Sequence, residues 1–320
     1  MLAAASNYRP RTNMRIAVLG CGAMGSIYAA LLASCGHDVS AIDNNAEQVR
    51  AINAFGLRVT GASGDRSVKI PAYTQPPDQP TELLIIAVKG RQIKPACTLA
   101  KPLLNPETVI LTIQNGLGSA EQVADLVGHD RLIVGVAQGF GASLQAPGHA
   151  HHKAMKAIKM GAYSEAGKRW VSPVTEIFQK AGFDASSTAD ILAMQWEKLI
   201  CNVAYSALCA LTGQTIGEVM NDPIIGPVSR NAATEAWQIA LASKVAIDVT
   251  DPVRLVQEFA QRMPNAKPSV LLDIEAGRFS EIGMINGAIP RAAEKTGRSA
   301  PINATLTALV EALEKRTIKA

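Results

Sequence analysis

The chain has 320 residues, of which 48% are hydrophobic and 18% are charged, and its net charge is +4 at pH 7. This composition supplies material for one large or two ordinary cores and excludes a disordered or low-complexity chain. The 31 Lys and Arg residues are scattered, so no nucleic-acid partner is expected, and no apolar stretch is long enough to predict a membrane span. The five cysteines form no CxxC pair, so neither a disulfide framework nor a metal site is expected.

The first half of the chain alternates strand and helix patterns. Residues 1–13 lack the features of a secretory signal and are predicted to form an N-terminal extension. Beyond it, apolar strands are predicted at 14–20, 37–42, 83–88, 109–113 and 132–136, and helices at 23–35, 45–54, 93–104 and 119–127. Alternation of this kind predicts crossover connections and a parallel sheet covered by helices on both faces. We therefore expect an α/β, Rossmann-type doubly wound domain in a soluble, cytoplasmic protein.

The pattern changes after residue 139. Short segments punctuated by Gly and Pro between Gly139 and Gly161 predict an antiparallel extension of the sheet, and a helix is predicted at 174–181. From about Ala189 onward, strand patterns vanish and long helical patterns continue to the C-terminus. We therefore predict a dinucleotide-binding domain over 1–189 and an all-helical substrate and catalytic domain over 190–320. The long apolar helices of the second domain are compatible with a homodimer.

A glycine-rich turn separates the first predicted strand from the first helix. It has the sequence Gly20, Cys21, Gly22, Ala23, Met24 and Gly25. In a strand–turn–helix context, such glycines allow a tight turn, close approach of the backbone to a pyrophosphate and close packing of the helix. The helix N-terminus then favours the anion. The turn predicts a dinucleotide site, and the alternative is a flexible turn without a ligand.

Asp43 ends the second predicted strand, 18 residues after Gly25. A carboxylate here can accept hydrogen bonds from the ribose hydroxyls of NAD, and it would repel the 2′-phosphate of NADP. The following residues offer no cation before Arg50, so the local chemistry favours NAD(H). The alternative is that Asp43 only caps the next helix.

A polar stripe runs along an otherwise apolar helix predicted within residues 194–212. Its members are Lys198, Asn202 and Ser206, spaced by four residues, so that neighbours stack about 5.4 Å apart on one face. A buried polar group needs partners, which suggests that the stripe lines a polar cleft. A partly desolvated lysine there could donate a proton near neutral pH. The alternative is that Lys198 extends to solvent at the start of the helix.

Residues 267–290 contain a second candidate group. Ser269 follows a proline and starts a predicted helix that Gly277 ends, and Ser280 and Glu281 then open another helix. An acid in a first turn is favoured by the helix dipole, so Glu281 has a structural explanation as well as a functional one.

Several motifs together carry a resemblance to a known family. They are GCGAMG, Val88-Lys89 with Gln92, Gln114-Asn115-Gly116, WEKLICN and KPSVLLDIEAGRFSEI followed by NG. In these motifs the chain resembles the ketopantoate reductase (2-dehydropantoate 2-reductase) family over most of its length from Met14. The resemblance implies an NADP(H)-binding Rossmann domain, a helical domain, and a keto acid bound in the cleft between them. It also implies hydride transfer from the nicotinamide to the 2-keto carbon.

The resemblance further implies roles for individual residues. Lys198 matches the proton-donating lysine, and Glu281 matches the carboxylate that holds the substrate and the lysine. The remaining matches are Asn202 and Ser269 as substrate-binding groups, Asn115 as a group near nicotinamide and substrate, and Lys89 as a cofactor contact. Ser206 stands where the family often has a second asparagine, and it is included among the substrate-binding candidates.

The chain also departs from the family pattern. Besides Ser206, Gly283 stands where aspartate is common, and Asp43 stands where many NADPH-using members have a basic or neutral residue. The leading hypothesis is reduction of 2-dehydropantoate, a small anionic 2-keto acid, to pantoate. The first alternative is an NAD-linked dehydrogenase or reductase of another branched or aromatic 2-hydroxy acid. The second is a dinucleotide-binding regulator without catalysis.

Overall fold

The computed structural model describes residues 13–139, 141–154 and 157–318, so the predicted extension lies outside it except for Asn13. The chain forms two compact units. The first comprises the chain up to Gln114 together with Ser119–Ile191, and the second comprises Asn115–Gly118 and the chain from Leu192 onward. Nothing in the sequence indicated that the four residues Asn115–Gly118 pack with the second unit.

The strands of the first unit form two sheets. Within the described residues the strands are β1 (Arg15–Leu19), β2 (Asp38–Ile42), β3 (Leu57–Gly61), β4 (Arg66–Val68), β5 (Ala72–Tyr73), β6 (Leu83–Ile86), β7 (Val109–Thr112), β8 (Leu132–Ala137), β9 (Gly141–Ala146), β10 (His149–Ala154), β11 (Ile158–Ala162) and β12 (Ala185–Ser187). The larger sheet has the order β12-β11-β8-β7-β6-β1-β2-β5, and the smaller has the order β4-β3-β10-β9. From β5 to β8 of the larger sheet all neighbours are parallel, whereas β11 is antiparallel to β8.

Helices cover both faces of the larger sheet. They are α1 (Ala23–Ser34), α2 (Ala46–Phe55), α3 (Ile93–Leu99), α4 (Ser119–Val127) and α5 (Lys168–Lys180). Alternate residues of β1 enter opposite cores: Ile16 and Val18 pack with residues of α1 and α5, and Ala17 and Leu19 pack with residues of α3 and α4. A parallel sheet buried in this way needs near-continuous apolar strands, which is the pattern the sequence shows. The predicted doubly wound α/β fold is confirmed.

The predicted extension of the sheet between residues 139 and 161 was wrong in part. Only β11 joins the larger sheet, whereas β9 and β10 pair with each other and β10 also pairs with β3. The β3–β10 pairing is parallel and joins residues about ninety positions apart, such as Arg58 and His149, so no local pattern could reveal it. The predicted helix at 174–181 begins earlier, at Lys168, and continues through Pro173.

In the described part of the second unit, every regular element is helical. The helices are α6 (Ile191–Thr212, whose first residue belongs to the first unit), α7 (Ile216–Asn221), α8 (Ile225–Ala242), α9 (Pro252–Arg262), α10 (Ser269–Glu275), α11 (Ala288–Lys295) and α12 (Pro301–Thr317). Helix α6 is central, because its apolar residues belong to one core with residues of α8, α9, α11 and α12. Within the described residues, no helix is long and apolar enough to cross a membrane.

Candidate active site

The glycine-rich turn joins β1 to α1 and leaves open space in front of the helix. Gly20 has φ +93°, a conformation that favours glycine, and a Cβ on Gly25 would lie 2.0 Å from the carbonyl oxygen of Gly20. A Cβ on Gly22 would meet no atom within 4 Å. Among the described residues no side chain caps α1, so the amides of Ala23 and its neighbours begin the helix beside this space. The turn therefore fits an anionic group at the helix N-terminus.

Asp43 is connected to the same turn. Its carboxylate accepts hydrogen bonds from the backbone N–H of Asn45, at 2.9 Å, and from that of Cys21 inside the turn. Burial raises the pKa of Asp43, and these two N–H donors oppose the rise. Asn45, rather than Asp43, caps α2, because its side chain accepts from the N–H groups of Glu47 and Gln48. Asp43 is thus fixed beside the glycine turn and is not needed as the cap of α2.

Two segments follow the parallel strands β6 and β7. Lys89 is half-buried and precedes a single 3₁₀ turn, Gly90–Gln92. The Gln114 side-chain amide donates to the carbonyl oxygens of Ile86, at 2.6 Å, and Val88, at 3.0 Å. Gln114 therefore ties the end of β7 to the segment that leads to Lys89. The sequence motif contained Gln114, but nothing in it indicated this positioning role.

Lys198 begins the polar stripe of α6 and is half-buried. Its Nζ donates a hydrogen bond to Asn115 Oδ1 at 2.8 Å. Burial lowers the pKa of Lys198 to about 8, while the negative charge of Glu281 acts in the opposite direction. The structure thus brings together Lys198, Asn115 and Glu281, and the lysine is paired rather than extended into solvent.

Asn115 owes its position to the short segment that packs with the second unit. Gly116 has φ +82°, and a Cβ there would lie 1.9 Å from the carbonyl oxygen of Met284. The N–H of Leu117 donates to that same oxygen at 2.9 Å. Only glycine allows this approach, so Gly116 fixes Asn115 against the turn that follows Glu281.

The predicted helix opened by Ser280 and Glu281 does not form. Instead, Glu281 precedes a single 3₁₀ turn, Ile282–Met284, and the next helix, α11, begins only at Ala288. A carboxylate stabilised by an α-helix dipole must lie in the first turn of that helix. The dipole explanation for Glu281 was therefore wrong. The functional explanation is supported by the effect of the Glu281 charge on the pKa of Lys198.

The other predicted substrate groups have different environments. Asn202 is half-buried and Ser206 is buried, one and two turns along α6 from Lys198. Ser269 is exposed and is the first residue of α10, which ends at Glu275 as the position of Gly277 predicted. Within residues 13–139, 141–154 and 157–318, no group of three or more His, Cys, Asp or Glu side chains could hold a metal ion.

Comparisons with known proteins converge on one family. The family model "Ketopantoate reductase PanE/ApbA" matches residues 16–165, and "Ketopantoate reductase PanE/ApbA C terminal" matches residues 190–314. A protein of Pyrococcus horikoshii named 2-dehydropantoate 2-reductase is 31% identical over 301 residues, which cover 94% of this chain and 98% of the relative.

Two solved structures are similar over 95% of this chain and 99% of their own. The PanE/ApbA family ketopantoate reductase of Ralstonia eutropha JMP134 is 30% identical with a TM-score of 0.87. The ternary structure of D-mandelate dehydrogenase with NADH and anilino(oxo)acetate is 24% identical with a TM-score of 0.88, and at that identity the likeness is one of fold alone.

Two glycines of the turn predict losses of stability of different size for the same substitution. Gly25→Ala should lower the free energy of unfolding by about 3 kcal/mol, because backbone oxygen cannot move aside as a side chain can. Gly22→Ala should cost at most about 1 kcal/mol, since its Cβ enters open space and only the helix cap weakens. Thermal unfolding of both variants beside the wild type measures the difference, and equal losses would contradict the geometry of the turn.

Proposed function

The chain belongs to the ketopantoate reductase family, and we propose that it reduces the 2-keto group of 2-dehydropantoate to give pantoate. The observation that carries the proposal is the Lys198 ammonium, which is half-buried, bonded to Asn115 and close to the charge of Glu281. A proton donor with a pKa near the working pH is what reduction of a carbonyl requires.

The first unit offers the groups that a dinucleotide needs. The open space at Gly22 and the uncapped start of α1 suit a pyrophosphate, and the Asp43 carboxylate suits ribose hydroxyls. Lys89 is proposed as a further cofactor contact. When bound, a nicotinamide dinucleotide supplies the hydride for the reduction. Asp43 favours NAD(H), because a fixed carboxylate would repel the additional phosphate of NADP(H).

Lys198 completes the reduction by delivering the proton. As the keto carbon gains the hydride, negative charge develops on the keto oxygen, and an ammonium at hydrogen-bond distance stabilises that charge. The proton then passes from Nζ to the oxygen and gives the hydroxyl group. Burial keeps the pKa of Lys198 near 8, so that the proton can leave, and Glu281 keeps the ammonium charged until it does.

We propose that the remaining polar groups hold a small anionic substrate. Asn202 and Ser206 continue the face of α6 that begins with Lys198, and the Ser269 hydroxyl would serve the carboxylate end of the substrate. Asn115 is held beside the lysine and would orient both the ammonium and the keto acid. These roles follow the family pattern, with Ser206 in place of its second asparagine.

A second candidate is an NAD-linked reduction of another branched or aromatic 2-keto acid on the same machinery. Two observations favour it. A Cβ at Gly283, two residues after Glu281, would meet no atom within 4 Å, so this chain has space where the family commonly carries a side chain. Asp43, at the end of β2, favours the cofactor without a 2′-phosphate.

The experiment that tests the proposal compares initial rates of the wild type, Lys198→Ala and Lys198→Arg with 2-dehydropantoate, NADH and NADPH. The wild type should turn over, and its kcat should fall as the pH rises through about 8 and Lys198 loses its proton. Lys198→Ala should lower kcat by about 10²–10⁴-fold, the usual contribution of a general acid. Lys198→Arg should not restore it, because a guanidinium keeps its proton.

The dissociation constant of the dinucleotide, measured on the same proteins, is the control. It should change by less than about twofold, since Lys198 acts on the keto oxygen in the proposal. Equal losses in kcat and dinucleotide binding would make the lysine structural. Turnover of branched or aromatic 2-keto acids without turnover of 2-dehydropantoate would favour the second candidate, and no turnover of any of them would contradict both.

A separate prediction concerns cofactor choice. Asp43→Asn removes the charge but keeps an acceptor for the N–H groups of Cys21 and Asn45. The ratio of kcat/KM for NADH to that for NADPH should fall by at least about tenfold, or about 1.4 kcal/mol. The predicted change of about 1.4 kcal/mol is smaller than the repulsion of about 4 kcal/mol between two unit charges about 4 Å apart near a protein surface.

Asn45→Ala is the matched control for that substitution. It removes the cap of α2 and should lower stability by about 1 kcal/mol, yet it leaves the charge of Asp43 in place. The cofactor ratio should therefore stay at the wild-type value. If Asp43→Asn leaves the ratio unchanged, or if Asn45→Ala shifts it equally, Asp43 does not select the cofactor by its charge.

A further inference from the structure

A buried carboxylate on the last helix holds the residue that precedes Glu281. Glu314 lies on α12 and is fully buried. Its Oε1 accepts the N–H of Ser280 at 2.8 Å and the hydroxyl of Ser280 at 2.5 Å. The Ser280 hydroxyl oxygen in turn accepts the N–H of Ile282 at 3.1 Å. One carboxylate oxygen therefore restrains the backbone on both sides of Glu281.

The far end of the same segment is also anchored. The Asn286 side-chain amide donates to the carbonyl oxygen of Val203 on α6, at 3.0 Å, and to Asn303 Oδ1, at 2.9 Å. Val203 lies between Asn202 and Ser206, so this bond joins the segment to the helix that carries Lys198. With both ends of residues 280–286 held by buried groups, the backbone at Glu281 has little freedom to move away from α6.

The Glu314 contact ties Ser280 to a helix that is distant in sequence. Ser280 is buried, so its N–H and hydroxyl both need an acceptor inside the protein, and one oxygen of Glu314 accepts both. A segment that only had to turn could satisfy these donors with acceptors of its own backbone. A segment that must hold a charge at a set distance from a lysine needs such rigidity, because a displacement of about 1 Å can cost about 10²-fold in rate.

We propose that Glu314 is a positioning residue which, through Ser280, sets the distance between the Glu281 carboxylate and the Lys198 ammonium. The inference rests on the proposed function, in which these two groups act together in the reduction. In this proposal Glu314 acts through Ser280 and not on the substrate, so it is a positioning residue and not a catalytic one. Glu314 restrains the loop that carries Glu281.

This role has a consequence that a purely structural role lacks. Glu281 is the charge that raises the pKa of Lys198 against the effect of burial. If the segment loosens and the carboxylate moves away, burial acts with less opposition and the pKa of Lys198 falls below its value of about 8. The decline of kcat at high pH should then begin at a lower pH.

The test compares Glu314→Gln with Glu314→Met in the full-length protein. The two side chains have similar volume and no charge, but only glutamine keeps an oxygen that can accept from Ser280. Glu314→Met should lower kcat for 2-dehydropantoate by about tenfold or more and move its decline with pH to lower pH. Glu314→Gln should stay within about twofold of the wild type with an unmoved pH profile. The dissociation constant of the dinucleotide should be unchanged in both.

Val310→Ala is the control on the same helix. Val310 is fully buried in the core of the second unit but belongs to none of these hydrogen bonds, so its loss weakens packing alone. It should lower thermal stability without moving the pH profile. The proposal is overturned if Glu314→Met behaves as the wild type, if it loses activity with the wild-type pH profile, or if Glu314→Gln is impaired as severely.

Amide hydrogen exchange separates failure of this inference from failure of the proposed function. In Glu314→Met the N–H groups of Ser280 and Ile282 should exchange at least about tenfold faster than in Glu314→Gln, and this measurement needs no substrate. A wild type that reduces no 2-keto acid would contradict the proposed function. Unchanged exchange in Glu314→Met would contradict the positioning role, whatever the activity of the wild type.

Discussion

The proposed site depends on one interaction, the attraction between the Lys198 ammonium, which burial strips of part of its water, and the charge of Glu281. Burial alone favours the neutral amine, and the charge of Glu281 favours the ammonium, so the pKa of Lys198 settles at about 8 instead of its ordinary value of 10.5. Asn115 accepts one of the ammonium hydrogens and fixes its direction. A lysine with a pKa near 8 can stabilise negative charge on an oxygen as an ammonium and can also transfer its proton to that oxygen, which an exposed lysine does poorly.

Two backbone segments carry the partners of Lys198, and each is held by hydrogen bonds to distant parts of the chain. The four residues Asn115–Gly118 leave the fold of the first unit and pack with the second, and glycine at 116 is what permits the contact with Met284. The segment from Ser280 to Asn286 is held at one end by Glu314 and at the other by the carbonyl oxygen of Val203. The acceptor and the counter-charge of the lysine thus come from parts of the chain far apart in sequence, and each is fixed by buried hydrogen bonds.

The features of the fold and of the candidate site that could be predicted from the sequence are those that depend on local residue patterns. The alternation of apolar strands with helices predicted the parallel sheet. The spacing of Lys198, Asn202 and Ser206 predicted a polar face on α6. The glycine turn has the open space that its motif implies. What could not be predicted depends on contacts between distant residues. The pairing of β3 with β10 and the bond from Ser280 to Glu314 leave no periodicity to detect. A helix was expected after Glu281 because an acid commonly opens one, yet tertiary anchoring of the segment prevails over that local preference.

The balance between burial and the charge of Glu281 can be measured through the pKa of Lys198 itself, by NMR titration of protein labelled with ¹³C at the lysine ε-carbons. Lys198→Ala assigns the resonance by its disappearance. Lys198 should titrate near pH 8 in the wild type and at lower pH in Glu281→Gln, where the opposing charge is gone. If Lys198 titrates near its ordinary value of 10.5, or if its pKa does not change in Glu281→Gln, burial and Glu281 do not set the charge of the lysine.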